Sequence, residues 1–207
     1  SGDANPYARF ERLTVEDGLS QSTVLAALQD REGFMWFGTQ DGLNRYDGYT
    51  FTTYHHEAGN PNSLSSSNIF SLLQSSDGTL WVGTDTGGLN RYNRENDTFS
   101  AYLNDPDDPT SLSTNNAWAL AEDWRGNIWV GTLGGLNRLD PETGQFTRYL
   151  PDPDNPRAIS SATIYRLYVD PQGVLWVGTR EGLNQYNPHT DDFTVYKNDP
   201  ENPNSLI

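Results

Sequence analysis

The fold of this chain is decided by a stretch in its second quarter, Trp81-Val82-Gly83-Thr84 followed by Gly88-Leu89-Asn90-Arg91-Tyr92. The same pattern recurs three more times, with its tryptophan at Trp36, Trp129 and Trp176. The four tryptophans are therefore 45, 48 and 47 residues apart. A period of this length indicates a supersecondary unit that cannot bury its apolar surface alone and stacks on copies of itself.

One repeat contains four short apolar or alternating runs, which in the second copy are residues 68–74, 80–84, 89–92 and 98–102. Each run is too short for a helix and is bounded by turn residues, such as the Gly78 that follows Ser76 and Asp77. The runs are therefore predicted to be strands. Four antiparallel strands in 45 to 48 residues are typical of one blade of a β-propeller.

Three residues of the quoted stretch have a predicted mechanical role. Gly83 ends the second strand, where a larger side chain would crowd a neighbouring strand or blade. Thr84 closes the following turn through its hydroxyl. Trp81 offers the largest apolar surface of the repeat and is predicted to pack between sheets as a core residue.

Composition limits what the chain can do. The 207 residues carry a formal charge of −15 and only 34% hydrophobic residues, so the core depends on 6 Trp, 11 Tyr and 8 Phe. The negative charge argues against nucleic acid and anionic membrane surfaces as partners. The absence of cysteine excludes disulfides and thiol catalysis. No run of about 18 apolar residues occurs, so we expect no direct membrane insertion of this segment.

The repeats divide the chain into blades joined by proline-containing connectors. The predicted units are an N-terminal arm (1–18), blades 1 to 4 (19–63, 64–111, 112–158 and 159–205) and the start of a further blade (206–207). Phe10-Glu11-Arg12-Leu13 aligns with the fourth strands of the blades, so an extra outer strand is expected in the arm. The alternative is an unpaired extension. The predicted fold class is all-β, a propeller fragment of four four-stranded blades with that additional strand.

The unequal number of outer and inner strands has a consequence for association. Unpaired strand edges are templates for pairing with another chain. We therefore expect self-association through exposed blade edges, and two four-blade pieces would make an eight-blade ring. A closed four-blade monomer and an open arc are the alternatives.

The repeat resembles that of the two-component regulator propeller family. In the first blade the resemblance rests on Asp30, Gly33, Trp36, Gly38, Thr39, Gly42, Leu43, Asn44, Arg45, Tyr46 and Asp47. The opening residues 13–22 also look like the mature N-terminus of such sensors. Four copies in register make the match specific and extend it over about residues 10–207.

The resemblance implies a function in signal input. In this family the propeller is the periplasmic sensor region of a membrane-anchored hybrid histidine kinase or diguanylate cyclase, and its signal is often an oligo- or polysaccharide. The catalytic output domains lie elsewhere in such proteins, so no catalytic residue is carried over. A non-enzymatic sensor is the expected function.

The sequence itself contains no convincing catalytic, metal or cofactor site. His55 and His56 lie in a connector beside Glu57, and a solvated pair is the simpler interpretation. The acidic clusters 105–108 and 152–154 lack the spacing of a calcium loop and are predicted to be solvated turns. An enzyme acting on glycans or antibiotics, like the streptogramin lyases among related propellers, would need a convergent pair such as His55 or His56 with a carboxylate, or Glu57 with Asp85. A pure assembly module is the third hypothesis.

The remaining candidate is a ligand face. The residue near the start of the first strand varies between repeats and is aromatic in three of them, Phe70, Trp118 and Tyr165. The turns after the second strands also vary, and that of the fourth repeat contains Arg180. Aromatic rings beside polar turns are suited to carbohydrate, whose ring faces stack and whose hydroxyls form hydrogen bonds. The alternative is that the three aromatic residues are core residues near the central channel.

Overall fold

A computed structural model of the chain describes residues 12–203 and 205–206. In this part of the chain the regular structure is all β apart from one 3₁₀ turn, Val15–Asp17. The strands form four four-stranded sheets, one for each sequence repeat, which confirms the predicted propeller blades. Blades 1 and 2 comprise β1 (Val24–Gln29), β2 (Met35–Thr39), β3 (Gly42–Tyr46), β4 (Phe51–Tyr54), β5 (Ile69–Gln74), β6 (Leu80–Thr84), β7 (Leu89–Asn93) and β8 (Thr98–Tyr102). Blades 3 and 4 comprise β9 (Ala119–Glu122), β10 (Ile128–Gly131), β11 (Leu136–Leu139), β12 (Phe146–Tyr149), β13 (Ile164–Val169), β14 (Leu175–Thr179), β15 (Gly182–Asn187) and β16 (Asp192–Tyr196).

Each blade is a meander in which consecutive strands pair antiparallel. The first strands of successive blades, β1, β5, β9 and β13, are neighbours in space and form the inner row. The turns between first and second strands therefore gather on one side of the row, and those between second and third strands gather on the other. We call the second side the upper face.

The apolar core lies between blades. One cluster joins Trp36 and Leu43 of blade 1 to all four strands of blade 2. A second joins Trp81 of blade 2 to blade 3, and a third joins Trp129 of blade 3 to blade 4. These three tryptophans are at most 2% exposed. The prediction that the repeat tryptophans pack between blades is confirmed for them, whereas Trp176 of blade 4 is only half-buried.

Every repeat tryptophan is held by the same hydrogen bond. The indole Nε1 donates to a side-chain oxygen six residues earlier, in the turn before its strand. The acceptors are Asp30, Ser75, Asp123 and Asp170, at 2.8 to 3.1 Å. Because a buried indole N–H needs a partner, this bond explains the acidic residue at the start of the repeat motif.

A fully buried asparagine ties each blade to the connector that enters it. Asn44, Asn90, Asn137 and Asn184 are 0% exposed. In blade 3, Asn137 Oδ1 accepts from the Ser113 amide at 2.9 Å, and Asn137 Nδ2 donates to the Ser113 hydroxyl at 2.9 Å. The other three blades repeat both bonds. The amide therefore fixes where the inner strand begins.

The predicted roles of Gly83 and Thr84 are confirmed. A Cβ added at Gly83 would collide with the Ser71 hydroxyl and with the Ala117 carbonyl group of the next blade. Thr84 Oγ1 donates to the Gly88 carbonyl at 3.0 Å and accepts from the Gly87 amide at 2.9 Å.

A network of tyrosines around one aspartate reinforces two of the three blade interfaces. Between blades 3 and 4, Asp191 Oδ1 accepts from Tyr149, Tyr186 and Arg138 at 2.7, 2.6 and 3.1 Å. Between blades 1 and 2, Asp97 Oδ1 likewise accepts from two tyrosines. Both aspartates have φ near +55°, which is unusual outside glycine. Blade 3 has Gly144 at the same position, so the interface between blades 2 and 3 lacks the carboxylate.

The two ends of the chain are only partly described. Phe10 and Glu11 of the expected outer strand lie outside the described residues, and Arg12 and Leu13 are not in a strand. Leu206 follows a connector closed like the earlier ones, with the Asp199 amide donating to Ser205 Oγ at 2.9 Å. Ile207 lies outside the described residues, and the predicted blade boundaries stay a prediction.

Candidate ligand-binding face

The variable aromatic positions lie at irregular points of the inner strands. In blades 1, 2 and 4 the pairing register shifts at Leu25, Phe70 and Tyr165, so each occupies a β-bulge. Trp118 directly precedes β9, and its amide donates to the Gly131 carbonyl at 2.9 Å. Bulges redirect side chains out of the regular alternation. The row of inner strands therefore carries one redirected or pre-strand side chain per blade.

The structure brings Phe70 and Trp118 together. Their ring centroids are 5.5 Å apart with an interplanar angle of 13°, so the two half-buried rings are stacked across the boundary between blades 2 and 3. Trp118 Nε1 donates to Asp85 Oδ1 at 3.0 Å, from the turn that follows β6. A carboxylate on the upper face thus holds the indole in place.

Two asparagines complete this cluster. Asn116 Nδ2 donates to the Asp85 carbonyl oxygen, and Asn68 Nδ2 reaches Asp85 Oδ2 at 3.5 Å. Asn68 Oδ1 is buried without a hydrogen-bond partner among the described residues. A buried acceptor without a partner is costly, so it marks a place where a water molecule or a ligand hydroxyl would be favourable. We call Phe70, Trp118, Asp85, Asn68 and Asn116 the aromatic cluster.

Tyr165 and Arg180 do not join the aromatic cluster. Both belong to blade 4 and are exposed, with Tyr165 at 44%. The backbone carbonyl of Tyr165 accepts from Arg166, and the backbone amide of Arg180 donates to the Thr163 carbonyl at 3.1 Å. None of their recorded contacts in the described part of the chain reaches Phe70 or Trp118. The four predicted residues thus separate into a stacked pair and two exposed side chains on blade 4.

The residues that the sequence offers for acid–base chemistry, His55, His56 and Glu57, contact neighbouring groups of the turns and connectors. His56 Nδ1 lies 2.7 Å from the Leu64 carbonyl, and Asn104 Nδ2 donates to the Leu112 carbonyl at the same place in the next connector. His55 Nδ1 is 3.7 Å from Asp41 Oδ1. Glu57 accepts from Asn60 within its own connector at 2.8 Å. Among the described residues there is no group of three or more metal-ligating side chains.

The most displaced pKa values lie between blades, away from the aromatic cluster. Burial, together with hydrogen bonds, raises the pKa of Tyr54 and of Tyr149 far above the usual range. Burial alone would raise the pKa of Asp191, but the bonds from Tyr149 and Tyr186 and the charge of Arg138 bring it below its usual value. These groups hydrogen-bond to one another across the blade interfaces.

The sequence matches a known family at the region that forms the inner strands. The profile described as "Two component regulator propeller" fits residues 18–41, 63–86, 111–134 and 158–181. Each matched segment runs from the connector through the second strand of one blade. The chain carries two-component regulator propeller repeats.

This chain spans less than a third of the length of the first proteins that it matches. A histidine kinase P4 from Formosa agariphila is 46% identical over 55 residues, which are 27% of this chain and 4% of the kinase. The extracellular domain of the putative hybrid two component system BT3049 from B. thetaiotaomicron is 30% identical, with a TM-score of 0.67 over 89% of this chain and 31% of that domain. Virginiamycin B lyase from Staphylococcus aureus, 16% identical with a TM-score of 0.63, shares the fold over 86% of this chain and 56% of the lyase.

These propeller repeats therefore resemble part of the extracellular domain of a putative hybrid two-component system. No helix among the described residues is long and apolar enough to cross a membrane. The sequence predicted Phe70 and Trp118 as ligand-binding residues but did not predict Asn68 and Asn116 as their neighbours. The available signal was that the segments before the inner strands differ between repeats, as the turn containing Asp85 does.

Proposed function

We propose that this chain is part of the periplasmic input region of a sensor protein, binds carbohydrate at the aromatic cluster and performs no catalysis. The observation that carries the proposal is the Phe70–Trp118 stack, with Asp85 and the unpaired Asn68 Oδ1 beside it. Apolar ring surface next to polar groups matches the two kinds of surface on a pyranose. Tyr165 and Arg180 would extend the contact along the upper face for a longer oligosaccharide.

The absence of catalysis is supported by the positions of the candidate acid–base residues. The side chains of His56 and Glu57 form hydrogen bonds within the first connector. In the next connector, Asn104 takes the place of His56 and bonds to the equivalent carbonyl. A histidine that is interchangeable with asparagine serves the backbone and not proton transfer. Incubation with a panel of oligosaccharides should yield no cleavage products. Turnover that disappears in His56→Ala or Glu57→Gln would contradict this part of the proposal.

Binding is tested by titrating oligosaccharides from that panel into wild type and Trp118→Ala by calorimetry. Loss of an aromatic anchor should weaken binding by about 1 kcal/mol or more, which corresponds to about fivefold in Kd. The matched control is Trp124→Ala, because Trp124 is 67% exposed and lies in a turn on the opposite face. Thermal unfolding of both variants shows whether they remain folded. Equal affinity of wild type and Trp118→Ala would remove Trp118 from the site.

A further inference from the structure

A groove of about 530 Å³ opens on blade 2, on the side of the molecule opposite the upper face. Its walls are the turn before β6, the end of β7 and the turn that follows β7, and Arg91 is among the lining residues. The corresponding space between blades 3 and 4, lined by Arg138 and Tyr186, measures only about 20 Å³. The groove on blade 2 therefore has the volume of a small-molecule site, whereas its counterpart is filled by side chains.

The arginine in the third strand is paired in blades 1 and 3 but not in blade 2. Arg45 donates to Tyr92 of the following blade at 3.3 Å. Arg138 donates to Tyr186 of the following blade at 2.8 Å, and both arginines are half-buried. Arg91 is exposed, and its guanidinium forms no hydrogen bond or ion pair within the described part of the chain. The groove is thus lined by a fixed positive charge without a counter-charge on it.

The sequence of blade 3 explains why Arg91 has no partner. In the strand register, Leu139 takes the place that Tyr186 has in blade 4. In the turn that follows, Gly144 takes the place of Asp191. Neither Leu139 nor Gly144 has a side-chain acceptor for the guanidinium. The difference lies between two blades that the structure describes on both sides of the interface.

A second donor at this interface lacks the same acceptor. In blades 1 and 3 the tyrosine of the fourth strand donates to the aspartate of the next blade at 2.7 to 2.8 Å. Tyr102 is the equivalent tyrosine of blade 2, and its hydroxyl forms no hydrogen bond among the described residues. A Cβ added at Gly144 would lie 3.6 Å from Tyr102 Cε1. Tyr102 and Arg91 also lie against one indole, that of Trp81, each at 5.9 Å.

We propose that the groove binds a small molecule through a carboxylate that accepts from Arg91 and Tyr102, in the role that Asp191 has in the next interface. A guanidinium pairs with a carboxylate in a planar, bidentate geometry, which gives the contact specificity as well as strength. The rest of the ligand would contact the hydroxyl and amide groups that line the groove, among them Thr79 and Asn93. The site lies on the opposite side of the blades from the aromatic cluster and does not depend on it.

The other charged groups of the groove indicate what else the ligand carries. Two of its three carboxylates are occupied, since Glu32 pairs with Arg94 and Asp77 accepts from a neighbouring serine and threonine. The Glu95 carboxylate has no partner among the described residues. The unpaired charges of the groove are therefore Arg91 and Glu95, one of each sign. A carboxylate accompanied by hydroxyl or ammonium donors matches both, as in a sugar acid or an amino acid.

Gly144→Asp tests the geometry without a ligand, because it supplies the missing carboxylate from the chain itself. Asp97 and Asp191 have φ near +55°, so aspartate is compatible with the φ of +74° at Gly144. The variant should unfold at a higher temperature than wild type, and Arg91→Gln should remove that gain when the two changes are combined. Gly144→Asn is the matched control of equal shape without charge and should gain less. A gain no larger than that of Gly144→Asn, or one that survives Arg91→Gln, would overturn the proposal.

Titration followed by NMR tests the ligand, using two acids and a match for each that lacks the carboxylate. Glucuronate is compared with glucose, and alanine with alaninamide. In one pair the acid should bind about tenfold more tightly than its match, which identifies a sugar acid or an amino acid, and Arg91→Gln should abolish the preference. Arg125→Gln removes an equally exposed arginine from a turn on the same side and should leave binding unchanged. No preference for the acid in either pair, or a preference that Arg91→Gln retains, would contradict the proposal.

Discussion

Blades 3 and 4 carry nearly the same second strand, but among the described residues only blade 3 is covered by a following blade. Trp129 in β10 is 0% exposed because blade 4 packs against it, whereas Trp176 in β14 is half-buried. Both indoles make the same hydrogen bond, at 2.9 Å, to the aspartate six residues earlier. The comparison shows that the bond belongs to the blade itself, while the burial belongs to the interface. The apolar residues of the second strand therefore become fully buried only where another blade stacks on them.

The difference in burial between the two tryptophans is tested by truncating each of them. Trp129→Ala should lower the free energy of unfolding by about 3–5 kcal/mol, as expected for removing a buried aromatic side chain. Trp176→Ala should cost about 1–2 kcal/mol, because less apolar surface is lost. Denaturant unfolding at low protein concentration measures both values. Equal losses would mean that burial between blades does not stabilise the fold.

The glycines that follow these tryptophans, Gly131 and Gly178, allow the same two blades to be compared by adding a side chain instead of removing one. Gly131→Val should destabilise the protein by about 1–3 kcal/mol, because its Cβ would overlap Ile164 of blade 4. Gly178→Val should change stability by less than about 0.5 kcal/mol, since its Cβ meets only ordinary contacts. Thermal unfolding of the two variants side by side checks the difference. A large loss of stability in Gly178→Val would show that another part of the protein packs against this glycine.

Much of the fold could be predicted because the repeat presents each element four times. The predicted limits of the second and fourth strands in blade 2, 80–84 and 98–102, are those of β6 and β8. Spacing revealed the period, and turn residues bounded the strands. The role of Thr84 followed from local chemistry, because a hydroxyl at the end of a strand can accept from the amide of a turn glycine three residues later, here Gly87.

The rest depends on contacts between blades, which the order of residues along one strand does not specify. Asn68 and Asp85 meet within blade 2 where β5 pairs with β6, whereas Trp118 reaches Asp85 only because blades 2 and 3 stack. The asparagine of each repeat is a polar residue, and neither its hydropathy nor its position in the repeat predicts burial. It is nevertheless completely buried, because its side-chain amide hydrogen-bonds to the connector that enters the blade. His56 looked chemically distinctive, and only the next connector shows that asparagine does the same work.

The smallest expected effect concerns the polar network around Asp191 between blades 3 and 4. The interface between blades 2 and 3 has Gly144 at the position of this aspartate. Asp191 has a pKa below its usual value because the bonds from Tyr149 and Tyr186 and the charge of Arg138 outweigh the effect of burial. A lowered pKa in the folded state stabilises the fold above the unfolded value of about 3.9. That stabilisation is lost as pH falls through the folded pKa.

Asp191→Asn should therefore be less stable than wild type by about 1 kcal/mol or less at pH 7, because the network loses its charged acceptor at a partly exposed site. Asparagine also tolerates the positive φ of this position, so backbone strain does not account for the loss. The difference between wild type and variant should shrink as pH falls below about 4, because the unfolded state then binds a proton at Asp191 more readily than the folded state does. Asp154→Asn removes an equal charge from an exposed turn and serves as the control. A wild-type advantage that stays constant from pH 7 to about pH 3 would show that the carboxylate acts through shape and not through its charge.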